Sequence, residues 1–232
     1  YNGVIEQVAG GIGNVEHNSI LVRYSNDFSI WDLESVNHYK DQTDIFFTCH
    51  EFSYNKIAEA YEPYLGLIRQ MFHKYCSGTL EEFMEECDVY KLQRPVFESY
   101  FEKGFCERTE QILIDEVEYE QERMHSSIVT MLQKLSEICP IVIVLNRFQL
   151  ASKSTMQLTN RLLQTKNKNI GIVLGVNDVQ SIPEFAHEEW DAICESMDDR
   201  NMVYHIGNAG RNMEPDVMDY YSDYESDDGY RK

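Results

Sequence analysis

The stretch Pro140-Ile141-Val142-Ile143-Val144-Leu145-Asn146-Arg147 constrains this chain more than any other. Its unbroken apolar run, mostly β-branched and set between a proline and a polar pair, reads as a strand buried on both faces. A strand with no wet face belongs in a parallel sheet covered by helices. Behind it, Phe148-Gln149-Leu150-Ala151 leads to Ser152 or Ser154, either of which can cap a helix running through Met156, Leu158, Leu162 and Leu163. Ligands of such sheets bind outside the carboxyl ends of the strands, and in nucleotide-hydrolysing folds acidic residues there meet Mg²⁺ and the attacking water. Here those places hold Asn146 and Arg147.

The rest of the chain alternates strand and helix around that stretch. Ile20 to Tyr24 reads as a first core strand, Ile30 to Tyr39 as a helix, and Asp44 to His50 as a second strand. From Ser53 to Cys139 the pattern is helical, with breaks at Pro63, at Ser77-Gly78 and at Arg94-Pro95. Thr79 and Glu82 have capping-box spacing, and Met124, Ile128, Met131, Leu132, Leu135 and Ile138 mark the apolar stripe of the clearest helix. Ile170 to Asn177 is a further buried strand. A helix around Trp190, Ile193, Cys194 and Met197 follows, and then a short strand from Met202 to Gly207. Right-handed crossovers turn this alternation into an α/β three-layer fold with a central parallel sheet of about five strands. The organisation expected is an N-terminal segment over 1–18, one domain over 19–210, and an acidic tail or linker over 211–232.

Charge narrows the partners. A formal charge of −20, with no basic stripe, argues against a nucleic-acid surface, because neutralising phosphates takes clustered Lys and Arg. No apolar run reaches the ~20 residues that span a bilayer. The six cysteines lie mostly in apolar patterns rather than at disulfide spacings, which suggests reduced thiols and a cytoplasmic protein. There is no signal peptide, and an opening on Tyr1 rather than Met suggests a piece of a longer protein. In the tail, Asp216, Asp219, Asp223 and Glu225 alternate with Tyr220, Tyr221 and Tyr224, the pattern of a solvated segment.

Chemistry-bearing motifs are sparse. Gly10-Gly11-Ile12-Gly13 invites comparison with a phosphate-cradling loop, yet a strand pattern follows it instead of a helix, so it reads as a flexible turn. Cys49 and His50 are adjacent on a strand and point to opposite faces, which disfavours a catalytic dyad. The seven histidines show no His-Glu-x-x-His pattern, and no Cys-x-x-Cys pair accompanies them.

Pro140 to Leu145, followed by Phe148-Gln149-Leu150-Ala151-Ser152 and Ser154-Thr155, resembles the Walker B region of AAA-type STAND ATPases, the ATPase domains of large bacterial signalling and transcription regulators. In that family the apolar strand ends in two acidic residues, followed by a short apolar-Gln/His-Trp-Ala-Asp segment and a Ser/Thr that opens the next helix. Phe46 to Glu51, Ala60 to Tyr64 and Leu67 to Gln70 resemble the family's second strand and the helix beyond it, and Ile170 to Asn177 its sensor strand. The likeness covers roughly 19–207 and implies a P-loop NTPase-like fold with a helical insertion between strands 2 and 3.

The departures point away from hydrolysis. Ser25-Asn26-Asp27-Phe28-Ser29 stands where the resemblance implies a Gly-rich loop ending in Gly-Lys-Ser/Thr, and it has neither glycine nor lysine. Asn146 stands for the metal-holding aspartate, Arg147 for the water-polarising acid, and Ser152 for a further aspartate. The expectation is a pseudo-ATPase: a regulatory module of a larger signalling protein, free to oligomerise, with protein partners or fused effector domains and no nucleic-acid or membrane partner. No cofactor is assigned beyond ATP or ADP with Mg²⁺. The vestigial nucleotide site would comprise Ser25, Asn26, Asp27, Ser29, Asn146 and Arg147. The alternative is a working ATP-binding domain with a divergent phosphate site, in which Arg147 or Arg23 supplies the charge of the missing lysine.

Overall fold

The computed structural model describes residues 2–13, 18–24, 44–53, 60–104, 117–177, 182–198 and 203–206. The helix expected over Ile30 to Tyr39 and the acidic tail lie outside the described residues. Four strands form the body of the sheet: β1 (Ser19–Tyr24), β2 (Phe46–Glu51), β3 (Ile141–Asn146) and β4 (Ile170–Asn177). A four-residue strand, β5 (Val203–Ile206), runs beside β1. All pairings are parallel and the order is β2-β3-β4-β1-β5. Every residue of β3 and of β4 is buried, as their apolar runs require.

Helices cover both faces. Even-numbered positions of β1 and β3, Ile20, Val22, Val142 and Val144, join Phe47 and Val173 against Val4, Ile5 and Val8 of α1 (Asn2–Gly11). The alternate positions, Leu21, Ile141, Ile143 and Leu145, join Ile172 and Leu174 against the larger helical layer. That layer comprises α2 (Glu62–Tyr75), α3 (Leu80–Glu86), α4 (Arg94–Lys103), α5 (Val117–Ile138), α6 (Lys153–Gln164) and α7 (His187–Asp198). The expected α/β class with a central parallel sheet is therefore present, and α2 to α5 all lie between β2 and β3 in the chain.

Local chemistry explains where these helices begin. Pro63 and Pro95 stand in the first turns of α2 and α4, where a missing N–H costs nothing. Thr79 Oγ1 accepts from Glu82 N at 3.2 Å, while Thr79 N donates to Glu82 Oε2 at 2.8 Å, so the capping box at α3 is complete. Of the two candidate caps for α6, Ser152 is the one used: its Oγ accepts from Thr155 N at 3.3 Å.

The N-terminal reading needs correction. Gly10 and Gly11 do not form a flexible turn but finish α1, and only Ile12 and Gly13 turn away. Gly13, at φ 96°, donates its N–H to Lys168 O at 2.7 Å and ties this turn to the loop before β4. Val4 and Val8, one turn apart, face the sheet with Ile12 beyond them.

α1 comes so close to β4 that Gly171 has no room for a side chain. A Cβ there would lie 2.6 Å from Val8 Cγ1 and 2.9 Å from the Asn18 carbonyl oxygen, which belongs to the backbone and cannot rotate away. Gly171→Ala is expected to destabilise the protein by about 1–3 kcal/mol, the usual range for overpacking. Gly10 has open space around its Cβ position, so Gly10→Ala should instead raise stability by up to about 1 kcal/mol through helix propensity. Thermal melts of the two variants should therefore move in opposite directions.

Candidate functional site

In a parallel sheet the crevice that binds ligands opens at the carboxyl ends of the strands, where the direction of chain progression reverses. From β1 the chain goes to β2 at the far edge, while from β4 it passes to β5 on the other side of β1. The reversal thus falls at the neighbouring strands β1 and β4. The strand ends on that side are Tyr24, Glu51, Asn146 and Asn177.

These ends are linked across the sheet. β1 and β3 are separated by β4, yet the Tyr24 hydroxyl donates to Asn146 Oδ1 at 3.2 Å. Between them β4 presents Gly175, which pairs with Val22 and carries no side chain. Asn146, 1% exposed, also accepts from the backbone N–H of Arg147 at 3.0 Å, while its own backbone carbonyl accepts from Phe52 N at 3.1 Å. Among the described residues its Nδ2 has no hydrogen-bond partner. Gln149, fully buried in the turn after β3, accepts from Asn177 N at 3.3 Å and so joins the ends of β3 and β4.

Arg147 leaves β3 in the left-handed region, at φ 53° and ψ 43°. For a residue with a Cβ that conformation costs about 1–2 kcal/mol. The bond from its N–H to the Asn146 side chain helps to hold it there. Its Nε lies 3.4 Å from Glu51 Oε1, an ion pair between a quarter-exposed guanidinium and a half-exposed carboxylate. An exposed pair of this kind adds little stability, but it does decide the local charge. Among the described residues the strand ends hold one cation already matched by one anion, and beside them the neutral amide of Asn146.

Burial pushes the Tyr24 phenol up to about 12, opposed by the Arg147 guanidinium and assisted by Glu51. The hydroxyl is therefore a lasting donor to Asn146 rather than a proton-transfer group near neutrality.

Of the six residues expected to form the site, Asn146 and Arg147 stand together at the end of β3, while Ser25, Asn26, Asp27 and Ser29 lie outside the described residues. Arg23, the other candidate cation, lies 5.9 Å over the Trp190 ring and donates to Cys194 Sγ at 3.5 Å. Ser152 is occupied as a helix cap. Tyr24, Glu51, Gln149 and Asn177 were not singled out from the sequence; position as the last residue of an expected strand would have found Tyr24 and Asn177, while Glu51 lies one residue beyond the strand expected over Asp44 to His50. Among the described residues the five cysteines are free, and no helix is long and apolar enough to cross a membrane. Comparison with protein-family models, curated proteins and solved structures returned no match.

Removing the phenol tests the bond that spans β4. Tyr24→Phe should cost about 1 kcal/mol, the net worth of a neutral hydrogen bond. It should also change the alkaline limb of stability. A phenol raised from 10.0 to about 12 stabilises the fold fully below pH 10, and that contribution is lost as pH rises through about 12. Melting temperature between pH 10 and 12 should therefore fall less steeply in Tyr24→Phe than in the unaltered protein.

Proposed function

We propose that this chain is a degenerate AAA/STAND ATPase-like module, built on a five-stranded P-loop NTPase-like domain over 19–210, that regulates a larger signalling protein in the cytoplasm through protein contacts and has lost nucleotide hydrolysis. On this reading the helices between β2 and β3 are an insertion into the P-loop fold. The observation that carries the proposal is the state of Asn146. At the strand end where a metal-holding carboxylate belongs, a buried carboxamide accepts from Tyr24 and from Arg147 N, and the neighbouring guanidinium is matched by Glu51.

Phosphoryl transfer is almost entirely positioning and charge neutralisation around Mg²⁺ and the γ-phosphate. An amide oxygen carries no net charge to offset the cation, and an arginine in the adjacent position cannot orient a water as a general base. A module of this composition can keep the two-layered helical shell and its surfaces for protein contact while doing no chemistry.

A second reading keeps nucleotide binding. The unpartnered Asn146 Nδ2 is a buried donor at the crevice, and Arg147 is partly exposed there, so a phosphate oxygen would find two donors. Thermal unfolding with and without millimolar ATP or ADP and Mg²⁺ separates the two. A ligand at 100 times its dissociation constant adds about 2.7 kcal/mol, roughly 5–10 °C for a chain of this size. We expect no shift; a rise of that order would replace the first reading with the second. The double variant Asn146→Asp with Arg147→Asp should introduce Mg²⁺-dependent nucleotide stabilisation if the site is vestigial, and an unresponsive double variant would count against an ancestral metal site.

A further inference from the structure

Where α2, α5 and α6 meet, the contact is built on a histidine. His125, on α5, is 6% exposed, and among the described residues its Nε2 has no hydrogen-bond partner. Tyr61, the residue before α2, packs against its ring, with centroids 5.4 Å apart and planes at 87°. Tyr61 is itself held in the left-handed region at φ 65°, a costly conformation for a residue with a Cβ. Its N–H donates to Thr155 Oγ1 of α6 at 3.1 Å, and its carbonyl accepts from Tyr64 N and Leu65 N, each at 3.0 Å. One turn further on, the Tyr64 and Thr159 hydroxyls share a hydrogen bond. The first turn of α2 is thus fastened to α6 by hydroxyls and to α5 through the His125 ring.

Neutral imidazole suits this place and imidazolium does not. In the charged ring both nitrogens are donors, and a proton on Nε2 would make a buried N–H with no acceptor. The titratable and charged groups around the ring are Tyr61 at the start of α2, Glu118 and Glu122 on α5, Arg161 on α6, and Glu188 and Glu189 on α7. None of these bonds Nε2. Glu122 is paired with Arg161, and Glu189 is held by Lys153 and Gln157. Burial, reinforced by the Arg161 guanidinium and opposed by Glu122 and the Ser154 backbone, holds the His125 pKa below its ordinary value of 6.5. The stability that the neutral ring supports is therefore complete above pH 6.5 and is lost as pH falls below it.

We propose that His125 is the trigger of an acid-sensitive joint: its protonation releases Tyr61 and the first turn of α2 from α5 and α6 while the sheet stays folded. A freed left-handed residue relaxes to ordinary backbone, so the strain at Tyr61 favours the open state. The device needs no ligand and stands apart from any history of nucleotide binding at the strand ends.

Amide exchange of the whole chain at about pH 7.5 and about pH 5.5, corrected for intrinsic rates, tests the joint. The reporters are the N–H groups of Tyr61 and Leu65, with Ile143 and Val144 of β3 as reference. They should exchange faster than the reference at both pH values, because they open without the sheet. One unit below 6.5, opening should rise severalfold, with a ceiling of about tenfold set by one decade of proton binding. This acid step should vanish in His125→Gln and persist in His187→Gln, on the exposed start of α7. Should His125→Gln fail to fold, Arg161→Gln carries the comparison: without the guanidinium the ring takes its proton at lower cost, and the acid step should shrink. Reporters that exchange no faster than β3 overturn the proposal, since the ring would then be freed by global unfolding alone. So does an acid step that stays undiminished in His125→Gln, or in Arg161→Gln where that variant is used.

Discussion

Every residue of β3 and β4 is buried, and the architecture follows from that constraint. Two adjacent strands with no wet face must be covered on both sides, and their alternating side chains feed two separate cores. One core is sealed by the several helices of the larger layer. The other, among the described residues, is sealed by α1 alone, whose fit depends on a missing side chain at Gly171. Because the strands run parallel, their polar ends gather on one edge. Whatever chemistry the sheet supports is concentrated where Tyr24, Glu51, Asn146 and Asn177 emerge.

Among the described residues that edge is quiet in electrostatic terms. In a working nucleotide site, uncompensated charges wait for a ligand of opposite sign; here the amide of Asn146 accepts two donors and Arg147 has Glu51. The left-handed backbone at Arg147 shows the same settled state, since an Asn146 side chain used to steady a turn is not free to hold a metal. Polar groups at this edge bind the strands to one another, and the sheet ends are stapled rather than open.

Much of this was legible in the residues. The strands could be read because β-branched runs bounded by polar residues have few other uses, and the capping box at Thr79 and the cap at Ser152 follow from short-range spacing. α1 escaped because Gly10-Gly11 lowers helix propensity where a helix was least expected; its face of Val4, Val8 and Ile12 was present but short. At the site, Asn146 and Arg147 could be found from strand-end position alone. Which residues they pair with could not, because Tyr24 reaches Asn146 over β4 and Glu51 reaches Arg147 from β2, and strand order is a tertiary fact that no local pattern carries.

A cleft between α5, α6 and α7 brings together three helices that belong to three different crossovers: α5 before β3, α6 between β3 and β4, and α7 between β4 and β5. None of its walls exists in a fragment that has docked only one of these units. The bonds across it join residues only 32 to 39 apart in sequence, whereas those that tie the start of β1 to the region of β4 span 149 to 152, so the cleft can close at a smaller loop-closure cost than the sheet. The helical layer from α5 to α7 is therefore a unit that can dock around β3 and β4 before β1 takes its place, and the entropy cost of long-range closure falls on the edge of the sheet that carries β1.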